Sequence, residues 1–144
     1  MKRDNKEIVE MFCRDVFINH DLTRLDEYMR DDYIQNNDIA ETGKQGFRDL
    51  FVKTFQSLPD FKYTVHMTVA EGDKVVVYST MTATHRGEWL GQPPTGNHLE
   101  INVIDIFRVQ DGMIAEHWDV ADTLTLFSQL GAVRKPRYGV ENNR

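Results

Sequence analysis

Residues 102–120, NVIDIFRVQDGMIAEHWDV, decide how this chain folds, because they read as one β-hairpin with its charges sorted by side. Apolar and β-branched residues run up to Val109, Gln110-Asp111-Gly112 forms a loop, and Met113-Ile114 opens a second strand. A three-residue loop ending in glycine suits a type I turn closed by a glycine bulge. That register sets Val109 opposite Met113, Phe107 opposite Ala115, Asp105 opposite His117 and Val103 opposite Asp119, all on one side. Ile104, Ile106, Glu116 and Trp118 point the other way. A two-residue Asp111-Gly112 turn slips the pairing by one and brings Asp105 beside Trp118, so loop length matters.

In the three-residue register, two carboxylates and an imidazole lie within about 5 to 8 Å of one another at Cβ, on a face otherwise made of Val, Phe and Ala. Ionised groups there must be paired, solvated or functional, and crowded like charges push one carboxyl pKa upward. Such a carboxyl suits general-base chemistry near neutral pH. On a solvated face, Asp105 and His117 are instead an ordinary cross-strand pair.

With 144 residues, the chain has length for one domain with a sizeable core, expected over residues 1–131, followed by a loose tail at 132–144. Its 40% hydrophobic and 28% charged residues fall in the soluble range, and no apolar run approaches the length of a membrane span. The start, MKRDNKEIVEMF, is too polar for a secretory signal, so a cytoplasmic protein is expected. Seventeen Lys and Arg against 23 Asp and Glu give a net charge of -6, which argues against nucleic-acid or anionic-membrane partners. The only basic cluster, Arg134-Lys135-Pro136-Arg137, falls in the tail. The single cysteine, Cys13, sits on an apolar helical stripe and reads as core.

Ahead of the hairpin the chain is helical. Ile8, Val9, Met11, Phe12, Val16 and Phe17 describe an amphipathic helix over 5–19. Asp21 caps a second helix through Leu22, Leu25, Tyr28 and Met29, and 31–38 reads as a brief strand ending in amides. A third helix spans 43–58, closed by Pro59, with Phe47, Leu50, Phe51, Thr54 and Phe55 on one face. The period then changes to two. Phe61, Tyr63, Val65, Met67 and Val69 form the buried face of a strand that turns at Glu71-Gly72-Asp73 into a partner over 74–85. The Gly- and Pro-rich segment 86–97 is a long loop whose Trp89 and Leu90 either cover a pocket or pack as a structural arm. Leu124, Leu126, Phe127 and Leu130 mark a short last helix stopped by Gly131. His85, His98 and His117 lack metal-ligand spacing, and no nucleotide or nucleophile motif is present, so no metal and no cofactor are expected.

Taken together, residues 69–78 (VAEGDKVVVY), 87–97 (GEWLGQPPTGN) and 104–120 (IDIFRVQDGMIAEHWDV) resemble SnoaL-like proteins of the nuclear-transport-factor-2-like superfamily, which includes polyketide cyclases and aldol-condensing relatives. The resemblance covers roughly residues 5 to 130 and implies an α+β, cystatin-like fold. In it, N-terminal helices pack into a strongly curved antiparallel sheet, cone-shaped around an apolar pocket. In the cyclases an acidic residue on the last strand acts as general acid/base in an intramolecular aldol closure, and the matching position is Asp119. His117 then orients or shares a proton with Asp105. Tyr33, Gln35 and Asn36 are the candidate donors to an enolate, with Phe107 and Trp89 as apolar contacts to the substrate. Many relatives read Tyr-x-x-His-Asn-Pro where this chain has Tyr33-Ile34-Gln35-Asn36-Asn37-Asp38, and Asn36 cannot titrate.

The reading that results is a cofactor-independent enzyme of cyclase or aldol type acting on a small apolar carbonyl compound. A dehydratase or isomerase using the Asp105 and His117 pair is an alternative within the same fold. A different class is a non-catalytic ligand-binding or dimerising module. Ile104, Ile106 and Trp118, on the face away from the pocket, predict a homodimer through the sheet.

Overall fold

The computed structural model describes residues 3–136. Of the expected loose tail, residues 137–144 lie outside the described residues, while Lys135 Nζ donates to Thr125 Oγ1 at 2.8 Å.

The hairpin forms, but around a shorter turn than expected. Strands β4 (His98–Gln110) and β5 (Met113–Ala121) are joined by Asp111-Gly112 alone, with φ of 52° and 76°. Both residues are left-handed, the conformation whose twist matches that of the flanking strands. Val109 pairs with Ile114 and Arg108 with Glu116, which leaves Ala115 as the extra residue of a β-bulge. The short turn moves the pairing by one and the bulge moves it by one again. Parity is thereby restored, so Asp105 faces Asp119 and Phe107 faces His117, each partner two residues from the expected one. Asp105, His117 and Asp119 still share the inner face.

Five strands form one sheet in the order β1-β5-β4-β3-β2. Strands β2 (Lys62–Glu71) and β3 (Lys74–Thr84) extend the antiparallel set, and β1 (Met29–Gln35) joins β5 in parallel at the opposite edge. β3 alternates strictly, burying Val75, Val77, Ser79, Met81 and Ala83. β2 does not. Its pairing shifts between Val65 and Met67, so Met67 opposes Tyr78 and Val69 opposes Val76 on the outer face, contrary to the single buried face the sequence period predicts.

The helices cover the inner face. α1 (Asn5–Phe12), capped by Asp4 at 2.8 Å, continues as a π-helical turn, Cys13–Ile18, and together they bury Val9, Phe12, Cys13, Val16 and Phe17. Phe12 meets Phe107 at 5.6 Å, and Phe17 meets Tyr63 at 4.8 Å between ring centres. The second predicted helix shortens to a 3-10 turn, Leu22–Arg24, and α2 (Leu25–Tyr28), because Met29 is already extended and begins β1. Asp21 caps that turn as expected, accepting from Thr23 N at 3.1 Å. α3 (Lys44–Ser57) starts after Gly43, whose φ of 94° turns the chain so that its N–H reaches Tyr33 O at 2.8 Å. α4 (Thr123–Gln129) is capped by Asp122, buries Leu126 and packs against β4.

Asp15, in the π-helical turn, is the one buried carboxylate at the helical end of the described residues. It accepts from Arg14 Nε at 2.9 Å and from the Tyr28 hydroxyl. The Arg14 hydrogen bond, ahead of the Tyr28 one, holds its carboxyl below the usual carboxylate range. A depressed pKa in the folded state contributes stability above the unfolded value and loses it as pH falls through the folded one. Urea midpoints are therefore expected to drop below about pH 4, and to drop less in Asp15→Asn, which itself costs about 1–3 kcal/mol at pH 7.

Candidate active site

Three strands bring the polar groups together. Asp105 lies on β4, His117 and Asp119 on β5, and Gln35, at the end of β1, pairs with His117 in the parallel register. Donor and acceptor atoms of Asp105, His117 and Asp119 all lie within 4.8 Å of one another. Asp105 and His117 are each 5% exposed, and Asp119 is half-buried.

His117 Nε2 stands 2.7 Å from Asp105 Oδ1, a direct hydrogen bond between the two side chains. Tyr63 donates its hydroxyl to the other Asp105 oxygen at 2.9 Å. On the far side of the ring, His117 Nδ1 meets Gln35 Oε1 at 3.2 Å, and the Tyr33 hydroxyl donates to that same oxygen. Gln35 Oε1 is therefore saturated, and its amide nitrogen is left as a donor. Asp119 is held differently. Its Oδ2 accepts from Asn37 Nδ2 at 3.0 Å, and its other oxygen accepts nothing among the described residues.

Beside these groups lies a cavity of about 140 Å³, a volume that in other proteins holds one benzene ring. Helical and loop aromatics wall it, chiefly Phe17, Phe47, Phe51 and Trp89, with Ile101 and Val103 from β4. Gln35, Asn37, Asp105, His117 and Asp119 supply its polar end, and no Lys or Arg among the described residues lines it. Ile39, which is exposed, and the half-buried Leu90 belong to its rim.

Trp89 is a fixed part of the wall. Its indole N–H donates to Thr54 Oγ1 at 3.0 Å, Ser57 O accepts from Arg86 N and Gly87 N at 3.0 and 2.9 Å, and Ser57 Oγ donates to Glu88 O at 2.5 Å. Gly87 packs so closely that a Cβ there would stand 3.0 Å from Ser57 Cα. The loop thus behaves as the arm, while its Trp89 still lines the cavity. At its tip, Trp89 and Gln92 exchange backbone hydrogen bonds of 3.1 and 2.9 Å around Leu90 and Gly91, whose φ values are 50° and 77°. Of the non-glycine residues at positive φ, His20 and Asp111 are types that tolerate it, and leucine is not. That conformation costs Leu90 about 1–2 kcal/mol.

Among the residues singled out from sequence, Asp105, His117, Asp119, Gln35 and Trp89 meet at the cavity. Tyr33 and Phe107 do not reach its wall. Tyr33 stands behind Gln35, and Phe107 stacks under the His117 ring at 4.8 Å. Asn36 turns away altogether, donating to Glu116 Oε2 at 3.1 Å and His117 O at 3.0 Å, so the expected donor at this position is not on the cavity. The amide that serves the site is the next one, Asn37. Tyr63 was hidden in an apolar alternation that marked it as core. His85 is buried at the base of the loop and His98 is exposed beside Glu100, so they form no ligand set with His117. Asp105, His117 and Asp119, by contrast, offer one nitrogen and two carboxylates that could hold a divalent ion.

The model of the SnoaL-like polyketide cyclases matches residues 7–130. The chain belongs to that family. It is 26% identical over 111 residues to the nogalonic acid methyl ester cyclase of Streptomyces nogalater, covering 74% of this chain and 83% of that one. Among solved structures it is similar to TsrD from Streptomyces laurentii, with 32% identity, a TM-score of 0.82, and coverage of 92% and 99% of the two chains. AclR from Streptomyces galilaeus follows, with 27% identity, a TM-score of 0.78, and coverage of 90% and 97%. As a SnoaL-like protein the chain has the α+β fold of these neighbours, with a mixed sheet in place of an all-antiparallel one. Among the described residues no helix is long and apolar enough to cross a membrane.

Burial, and then the charge of Asp105, push the phenols of Tyr33 and Tyr63 far above their ordinary value. For an acid, a raised folded pKa means stability that is complete below the unfolded value and lost as pH rises past it. Tyr63→Phe is expected to flatten the loss of stability above about pH 10, and to leave the native-state absorbance rise of ionising tyrosines unchanged.

Proposed function

We propose that the protein is a cofactor-independent cyclase of aldol type, acting by general acid/base catalysis on a small, apolar carbonyl compound. The observation that carries this reading is the free Asp119 oxygen on the wall of an apolar cavity, beside a histidine and a second carboxylate whose hydrogen bonds are already taken. Asp119 removes a proton from the carbon next to a carbonyl, and the electrons move onto the carbonyl oxygen as an enolate. The enolate carbon then bonds to a second carbonyl carbon of the same molecule. The alkoxide so formed takes its proton back from Asp119, leaving the base as it began. Gln35 Nε2, aimed by the two bonds on Oε1, is the donor available to the developing negative charge. Tyr33 acts through Gln35, and Tyr63 through Asp105.

A neutral substrate suits a lining with two carboxylates and, among the described residues, no Lys or Arg. The cyclase of Streptomyces nogalater, by its name, acts on a methyl ester, and nogalonic acid methyl ester is the compound to try first. Asp119→Asn is expected to lower kcat by about 10²–10⁴-fold with the fold unchanged by circular dichroism. Turnover that survives this substitution would sink the assignment of the base. No turnover of that ester or of other neutral carbonyl compounds by the wild type would favour a binding module of the same fold.

The outer face of the sheet supports a second copy as partner. Met67, Tyr78, Ile104 and Val120 lie in one cross-strand row, and Val69, Val76, Ile106 and Trp118 in the next. Val120 is 71% and Met67 56% exposed, so two apolar rows across four strands face solvent. A second copy laid on this face buries both sets of rows symmetrically. Sedimentation is expected to show a dimer at micromolar concentration and a monomer for Val120→Lys, and a monomeric wild type contradicts the pairing.

A further inference from the structure

We infer that Asp105, His117 and Asp119 form a site for one divalent transition-metal ion, Zn²⁺ by the class of its ligands, and that an ion held there takes the Asp119 oxygen on which the proposed chemistry depends. The site stands without that reading, and only the effect on turnover rests on it.

Charge is the first argument. Asp105 and Asp119 are directly opposed residues of β4 and β5, and like charges in that position repel. Of the side chains lining the cavity among the described residues, His117 alone can carry a positive charge, against two carboxylates. Arg108 of the same strand is turned to the outer face, where it pairs with Glu116 at 3.0 Å. A small doubly charged ion between the two strands removes the repulsion.

Geometry is the second. One ligand atom from each of the three residues lies within 4.8 Å of the other two. Tetrahedral zinc, with bonds of about 2.0–2.2 Å, sets its ligand atoms about 3.3–3.5 Å apart, so side-chain shifts of about 1 Å gather the three around one ion. The remaining atom of each is already held by a residue outside the set. His117 Nδ1 meets the acceptor Gln35 Oε1 at 3.2 Å, which leaves Nε2 to face the carboxylates. Tyr63 donates to Asp105 Oδ2 at 2.9 Å, and Asn37 Nδ2 donates to Asp119 Oδ2 at 3.0 Å. Outer bonds of this kind orient metal ligands and fix the imidazole tautomer. On binding, the hydrogen of the contact between His117 and Asp105 leaves to water and the ion stands in its place.

The ligand set selects the ion. One imidazole and two carboxylates suit Zn²⁺, with Co²⁺ as its coloured substitute. Mg²⁺ demands an octahedron of oxygens and keeps several waters, for which a wall of Phe47, Phe51 and Trp89 has no place.

Protein freed of metal with EDTA and exchanged into clean buffer is given Zn²⁺ in a calorimeter and Co²⁺ in a spectrophotometer. Wild type is expected to bind one Zn²⁺ with a Kd of about 1 μM or below, to develop visible Co²⁺ bands, and to give no signal with Mg²⁺. Zn²⁺ is expected to shift the His117 ring nitrogens in NMR spectra. Asn37→Ala and Tyr63→Phe, which remove only outer bonds, are expected to weaken Zn²⁺ about tenfold, and Asp119→Asn and Asp105→Asn, which remove ligands, at least about 100-fold. His98→Gln, at an exposed histidine beside Glu100, is expected to leave the affinity unchanged. Binding that is lost in His98→Gln, binding that survives in Asp119→Asn, or no stoichiometric binding by wild type overturns the inference. So does full turnover by protein loaded with Zn²⁺, because Asp119 is then not taken; the expected result is a loss of turnover that EDTA reverses. A protein that binds Zn²⁺ through these ligands yet turns over no carbonyl compound leaves the inference standing and removes the cyclase reading. Turnover that depends on Asp119 in a protein that binds no Zn²⁺ does the reverse.

Discussion

His117 and Asp105 touch at 2.7 Å almost out of reach of water, and the rest of the structure is arranged around making that contact tolerable. Two ionisable groups withdrawn from solvent carry a desolvation penalty of several kcal/mol each, which their attraction offsets only when every remaining polar atom is also bonded. Here Tyr63 completes Asp105, and Gln35 with Tyr33 completes His117. These partners come from β2 and β1, at opposite edges of the sheet. The strand order and the inward turn of each edge are thus tied to one buried pair. A pair so expensive adds little net stability, so its presence speaks for chemistry more than for architecture.

The faces of the key hairpin were legible because side chains alternate with period two, and parity survives any even change of register. Turn length and bulge were not legible. Asp111-Gly112 suits a two-residue turn as well as the end of a three-residue one, and nothing about Ala115 marks it as an extra residue. Two one-residue departures added up to an even shift, so their effect on parity cancelled and the three polar side chains ended on the expected side. No such cancellation occurred on β2, where one shift alone turned Met67 and Val69 outward.

Site partners were harder to read than site residues. Tyr63 looked like any inward aromatic, and only a pairing across 42 residues of sequence sets its hydroxyl on Asp105. Asn36 and Asn37 are chemically alike, and which one serves the cavity depends on where β1 stops. The strand ends at Gln35, the next residue still follows the sheet edge and bonds Glu116, and the one after it crosses to Asp119. Parallel pairing of β1 with β5 has no local signature at all, since it needs neither a tight turn nor a hairpin.

That parallel edge has a consequence for the order in which the molecule assembles. Gln35 and His117 are 82 residues apart in the chain, and Asn37 and Asp119 are equally far apart. Hairpins β2-β3 and β4-β5 close over two residues each and can form early, whereas docking β1 waits until β5 exists. During synthesis the last strand leaves the ribosome after every other strand of the sheet, so His117 and Asp119 reach Asp105, Gln35 and Asn37 only late. A partly made chain thus holds Phe17, Phe47, Phe51 and Trp89 while Asp105 still has no histidine beside it.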